Sequence, residues 1–317
     1  MRKGAIEVPP LLRLQASITN RDDRLLGWLY DHGVLTTDQI ASALFPSLDF
    51  AQRRLLRLTG LKAITRFRPN KLDGGSYPYH YVLAQLGYEH VMGQRGLGAP
   101  GRDHARRRFQ SLISRRDLPH LLGGNGVFIA LAAYARRNLG VALESWRPAT
   151  AFHEPGTLYR HGSDNRMILK SSGMPRPDGA GVWAEDGKTV PFFVEYDTGT
   201  ESLAVLAEKI DKYDLLARYA ESWLWPTLFV LPTAQREQHL HDRFTAEPSI
   251  IAATTALDYL RHTGKTLAQD VWRLIGFGKP RKRLIDLPYV DAEHDAAWSV
   301  APQAVNDDGP EIHLERG

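Results

Sequence analysis

The chain has 317 residues, 43% of them hydrophobic and 24% charged, with a formal net charge of +4 and no cysteine. That length predicts two domains, each with its own core. The missing thiols exclude a disulfide framework and a cysteine-based zinc site. No stretch reads as a secretory signal or a membrane span, so the expectation is a cytoplasmic protein with no membrane partner. Charge is unevenly spread: residues 1–120 carry 19 Lys/Arg against 10 Asp/Glu, and the remainder 21 against 26. A basic front joined to an acidic back predicts a front module that meets a polyanion.

Residues 1–20 read as an irregular leader, and 21–96 as the first domain. The apolar set Leu25, Leu26, Trp28, Leu29 and Tyr30 predicts an amphipathic helix over 21–33 with Asn20 as its N-cap. Thr37 is expected to cap a second helix over 38–45, which Pro46 stops. Ser47 or Asp49 caps a third over 50–59, ended by Gly60. Strand-like alternation over 61–68 and 77–83, with turn residues between, predicts a hairpin, and a helix over 85–96 follows. Three short helices and then a hairpin is the order of an α+β winged helix-turn-helix, whose third helix enters the major groove. On that helix Leu55, Leu56 and Leu58 are expected inward. Gln52, Arg53, Arg54 and Arg57 are expected outward, where Gln suits adenine and Arg suits guanine. Arg66, Arg68 and Lys71 flank the hairpin turn, within reach of phosphates or the minor groove. The partner this predicts is double-stranded DNA; a winged helix used as a protein-binding platform is the alternative.

Residues 97–116 read as a linker that becomes a basic helix, with Arg106, Arg107, Arg108, Arg115 and Arg116. If it meets DNA, it adds salt-sensitive, sequence-independent affinity. The second domain is expected over 117–278. Its elements are a helix over 125–138, strands over 141–146, 176–184 and 190–196, a helix over 200–219, and a strand over 226–231. Helices over 234–246 and 250–262 follow, and a charged tail covers 279–317. Residues 152–172 are weakly patterned and read as a loop. Asp186-Gly187 is a hairpin signal, and the run VPFFVEY at 190–196 suits a strand buried on both faces. Gly123, Gly124, Asn125 and Gly126 read as the turn that starts a helix, or as a phosphate-holding loop.

That αβββαβ order is the core order of PD-(D/E)xK nucleases and predicts a restriction-endonuclease-like α/β fold. Asp178, after Pro177, and Glu195 and Asp197, two apart on one strand face, are the candidate catalytic carboxylates and ligands for Mg²⁺. Such a metal polarises a phosphate and activates a water. The lysine position of the motif is occupied by Asp197. Lys209 on the following helix is therefore the candidate cation, with Lys212 one turn further and Glu144 as an accessory carboxylate. A degenerate, non-cleaving version of the same fold fits these residues too. The histidines form no spaced ligand set, and there is no Walker A loop or G-x-S-x-G elbow.

The words VLTTDQI at 34–40, LFPS at 44–47, AQRRL at 51–55 and GSYPYHYVL at 75–83 carry a resemblance, continued by LPH at 118–120, RPDG at 176–179, FFVEYDTGT at 192–200 and LFVLPT at 228–233. In this order, over about 20–235, the chain resembles the replication-relaxation family. The resemblance implies a role in the replication or DNA relaxation of plasmids or other mobile elements. A relaxase or replication protein is an implied partner. It leaves open whether this chain cuts DNA, regulates it, or assists mobilisation.

Overall fold

A computed structural model describes residues 8–69, 75–153, 175–220, 225–244, 246–276 and 280–289. The start of the expected leader, the turn bearing Lys71, most of the 152–172 loop and the end of the expected tail lie outside the described residues. The chain divides into two units, Met1–Arg136 and Arg137–Gly317, each built of helices and a sheet.

The first unit runs α1 (Pro10–Gln15), α2 (Asn20–His32), β1 (Leu35–Thr36), α3 (Thr37–Leu44), α4 (Leu48–Gly60), β2 (Ile64–Phe67), β3 (His80–Leu83), α5 (Gln85–Gln94), α6 (His104–Ile113) and α7 (Leu118–Ala135). Thr19 rather than Asn20 caps α2: its backbone N and its hydroxyl both lie 2.7 Å from Asp22 Oδ2. Thr36 rather than Thr37 caps α3. Its hydroxyl accepts from Gln39 N at 3.2 Å, and Gln39 Oε1 accepts from Thr36 N at 3.0 Å, which satisfies two orphan donors reciprocally. Ser47 caps α4 through Phe50 N at 3.3 Å. Leu35 and Thr36, expected in a turn, form a short strand, and the antiparallel sheet has the order β1-β3-β2.

Every residue of β3 is buried, because both faces of this sheet are covered. Directly paired residues share a face, so Leu35, Ile64, Tyr81 and Leu83 lie on one side and Phe67, His80 and Val82 on the other. On the second side Val82 joins Val34 and Leu112 of α6, packed with Phe67, Phe109 and the start of α7. The stretch expected to be a linker thus ends in a helix docked on the hairpin. Gly87, at the start of α5, admits no side chain: a Cβ there would stand 2.1 Å from the Ala63 carbonyl oxygen.

The helix expected at the head of the second domain belongs to the first unit. α7 packs on α3, and Gln39 Nε2 donates to the Leu122 carbonyl at 2.9 Å. Residues 123–126 lie inside it rather than at its start. Asn125 Nδ2 donates to the carbonyls of His32 and Val34 at 3.2 and 3.0 Å, closing acceptors that the end of α2 leaves open. In length and apolar content α7 passes for a membrane span, against the sequence expectation, and about two-fifths of it is buried within the fold.

The second unit runs β4 (Val141–Pro148), β5 (Gly179–Glu185), β6 (Lys188–Tyr196), α8 (Leu203–Ala220), β7 (Thr227–Leu231), α9 (Ala234–His241), β8 (Ala252–Ala256), α10 (Leu257–Thr263) and β9 (Arg273–Leu274), with 3₁₀ turns at Ala149–Phe152 and Leu284–Asp286. The sheet order is β4-β5-β6-β7-β8-β9. β4, β5 and β6 form an antiparallel meander. β7 and β8 add in parallel, and β9 closes antiparallel. This is a mixed α/β fold. Asp186 and Gly187 both take positive φ (49° and 79°) in the two-residue β5–β6 turn, as a hairpin twist requires.

Two expectations fail here. The helix expected over 250–262 is strand β8 followed by short α10. Ala252–Ala256 is buried throughout between β7 and β9, where β-branched Thr254 and Thr255 fit better than in a helix. The expected tail begins as part of the core: Leu284 and Leu287 are buried, Lys282 pairs with Trp272, and Arg281 pairs with buried Glu237 at 2.6 Å.

Candidate functional site

Asp178 sits one residue before β5 and is tied to β6. Its N–H donates to the Val194 carbonyl at 2.9 Å, and its Oδ2 accepts from Tyr196 N at 2.8 Å. Between those two β6 residues lies Glu195, only 3% exposed. Strand alternation puts Glu195 on the face of Phe193, whose ring stacks on Tyr213 of α8 at 6.1 Å. The Tyr213 hydroxyl donates to Glu195 Oε1 at 2.8 Å. Lys209 Nζ stands 3.3 Å from Glu195 Oε2 and 3.1 Å from Glu201. Lys209 and Tyr213 are four apart on one helix and share a face.

Burial, then the nearby charge of Asp178, raises the Glu195 pKa to about 7 against the pull of Lys209 and Tyr213. Burial works against the Lys209 ammonium as well, but Glu195, Glu201 and Asp178 outweigh it and its pKa is raised. Tyr213 is held far above its ordinary value by burial and by Glu195. Asp178, Glu195 and Lys209 therefore form one electrostatic cluster.

Asp197 does not join them. Its Oδ1 accepts from Gly199 N at 2.8 Å, and its carboxylate pairs with Arg236 of α9, which also donates to the Glu201 carbonyl. β6 ends at Tyr196, so the side chain two residues beyond Glu195 meets α9 rather than α8. Asp197, expected beside Asp178 and Glu195, is instead engaged by Gly199 and Arg236 at the β6–α8 turn. Lys212 pairs with Glu208 at 2.9 Å. Glu144 is the unpaired, exposed residue of a bulge between Leu143 and Ser145.

Among the described residues, no three His, Asp or Glu side chains gather as a metal site. The pair that remains, Asp178 and Glu195, fits Mg²⁺ by the chemistry of its donors: hard oxygens on one or two carboxylates, with water and substrate phosphate completing the shell.

In the first unit, Gln52, Arg53 and Arg57 are exposed on α4. Arg53 pairs with Asp49 at 2.7 Å and lies 4.9 Å over the Phe50 ring. Arg54 is not on that face. It pairs with buried Asp22, with Nε 2.9 Å from Oδ1, and donates to the Ser17 carbonyl at 2.8 Å. Burial alone would raise the Asp22 pKa, but hydrogen bonds from Arg54 and Thr19 outweigh it and hold it low. Leu56, expected inward, is 60% exposed; the buried phase is Ala51, Leu55 and Leu58. Arg66 and Arg68 lie 3.9 and 4.4 Å over the Tyr79 ring, and Arg68 Nε donates to the Tyr77 carbonyl at 2.7 Å.

The sequence pattern of the replication-relaxation proteins, described as Replication-relaxation, matches residues 26–226. The chain belongs to the replication-relaxation family. No curated protein matches it. A structure of the restriction endonuclease FokI aligns with 77% of this chain at 12% identity and a TM-score of 0.26. The chain spans 43% of that protein. The stretch shared with the replication-relaxation family runs from within α2 to just before β7. It contains Asp178, Glu195, Lys209 and Tyr213 and stops short of Arg236.

Sequence reasoning missed Tyr213, Glu201 and Arg236. The i, i+4 spacing of Lys209 and Tyr213 was a usable signal for the first. Arg236 lies 39 residues from Asp197, and no local pattern announces that pair.

Proposed function

We propose that this member of the replication-relaxation family binds duplex DNA through its first unit and acts on the phosphodiester backbone through its second. The order α2-β1-α3-α4-β2-β3 with sheet order β1-β3-β2 supports a winged helix-turn-helix. In that reading α4 is the groove-reading helix, presenting Gln52, Arg53 and Arg57, while Arg66, Arg68 and Lys71 serve the backbone. Arg54 belongs to the scaffold. The order β4-β5-β6-α8-β7 supports a restriction-endonuclease-like second unit.

The observation that carries the second half is Glu195, buried and gripped by Lys209 and Tyr213 beside Asp178. Buried Glu195 beside half-buried Asp178 is costly to keep charged, and Lys209 supplies one positive charge for the two carboxylates. Mg²⁺ held by Asp178 and Glu195 would supply Lewis acidity and a metal-activated water. Lys209 offsets charge on Glu195 and on a bound phosphate, and Tyr213 fixes the Glu195 rotamer. The setting is the cytoplasmic replication or relaxation of a plasmid or other mobile element, with a relaxase or replication protein as partner.

One observation favours a non-cleaving regulator instead: the motif's lysine position holds Asp197, locked to Arg236. Incubation of supercoiled plasmid with the protein and Mg²⁺ or Mn²⁺ separates the two. Nicked or linear product from wild type, lost in Asp178→Asn and Glu195→Gln, supports the enzyme. Equal inactivity of all three, with duplex binding intact, leaves the regulator.

A further inference from the structure

Helix α6 and its flanks concentrate charge to an unusual degree. Residues 102–117 hold six arginines and two aspartates, a net of +4 that equals the formal net charge of the whole chain. Arg102, Arg106, Arg107, Arg108, Arg115 and Arg116 are all exposed. Among the described residues, carboxylates pair only with Arg106, to Asp103 at 3.5 Å, and with Arg115, to Asp117. Both pairs are exposed, and such pairs contribute little.

This helix is fixed on the hairpin. Phe109 meets the Phe67 ring edge-on at 5.8 Å, and Leu112 is buried with Val34 and Val82. His104 meets Tyr88 at 4.6 Å. Arg66 of β2 and Arg68 just beyond its end stack on Tyr79, and Arg66 alternates with Phe67, so these guanidinium groups project on the opposite side of the hairpin from α6. Arginine guanidinium groups thus stand on both sides of one β-ribbon.

We propose that the arginines of α6 form a second phosphate-binding surface of the first unit, gripping the backbone of duplex DNA beside the hairpin. The proposal rests on the DNA-binding reading and extends it. Base-reading residues choose a sequence, whereas a row of arginines on a rigid helix meets phosphates alone. It adds affinity that is equal for all sequences and steep in salt. Arginine suits the task because its planar fork binds phosphate bidentately and stays charged.

The test uses the full chain and fluorescence anisotropy with two unrelated 30-base-pair duplexes at several KCl concentrations. Against wild type, Arg106→Gln/Arg107→Gln/Arg108→Gln should weaken both duplexes by the same factor. It should also flatten the slope of log K against log salt by about 2–3, at roughly 0.9 per lost phosphate contact. Because Arg108 also reaches Tyr88, Arg102→Gln/Arg107→Gln serves as a second variant that leaves that contact in place, with an expected flattening of about 2. An unchanged slope in both, while Arg53→Ala/Arg57→Ala still weakens binding, overturns the α6 surface and leaves the DNA reading standing. Absence of duplex binding by wild type overturns both. Preference of wild type for phosphatidylglycerol vesicles over duplex also overturns the proposal.

Discussion

The Tyr213 hydroxyl donates to one oxygen of Glu195 at 2.8 Å while Lys209, one turn earlier on the same helix, stands 3.3 Å from the other. A single carboxylate is thereby clamped at both oxygens by one helix face. Its folded pKa of about 7 lies above the unfolded value near 4.5. The folded state therefore holds the proton more tightly, and stability is full below pH 4.5 and falls as pH rises through 7. Unfolding by urea at pH 5, 6, 7 and 8 should show wild type losing a few kcal/mol over that range. Glu195→Gln should lose much less, and parallel curves would remove the burial of Glu195 as the source.

Arg54 and Arg53 are neighbours with opposite duties. Arg54→Ala leaves the buried Asp22 carboxylate without its guanidinium and should cost about 2–4 kcal/mol in urea unfolding. Arg53→Ala removes only an exposed pair, and stability should stay within about 0.5 kcal/mol while duplex affinity drops. The reverse order of the two stabilities would contradict the placement of Asp22.

Arg236→Ala strands Asp197 in the same way and should cost about 2–4 kcal/mol. Asp197→Asn, in contrast, should retain any metal-dependent plasmid nicking that Asp178→Asn abolishes. Equal loss in both would return Asp197 to the reacting centre.

Gly87→Ala has no room. The new Cβ meets the Ala63 carbonyl oxygen, which also accepts from Ala84 N at 2.9 Å. Backbone must shift on both sides, and thermal unfolding should move down by an amount corresponding to about 3 kcal/mol. A melting temperature within a degree of wild type would show that the α5 start relaxes freely.

Asn125→Ala should cost about 1–3 kcal/mol, since one amide satisfies two buried carbonyls. Differential scanning fluorimetry of the full chain would read it directly.

Strands with strong local signatures were legible. The apolar runs that became β6 and β7 and the Asp186-Gly187 turn need no distant partner to be recognised. Glu195 and Lys209 were legible for a related reason: a carboxylate ending a buried strand needs a cation, and the next helix offers one. Arg54 was misread because its partner lies 32 residues away and helix phase alone leaves it at the boundary of the exposed face. α7 was assigned to the wrong unit because apolar side chains surround most of it. Its packing on α3 and the bonds of Gln39 to Leu122 and of Asn125 to the end of α2, all distant in sequence, set the layer it joins. β8 was taken for a helix because a short buried run carries no periodicity that separates the two.

Strand β4 forms one margin of the six-stranded sheet, and its Glu144 is squeezed out of register with Pro148 at its end. A neighbouring molecule that offered a fresh strand there would find an irregular ladder and, at Pro148, a missing donor. Edge-to-edge pairing of sheets along that side is thereby disfavoured.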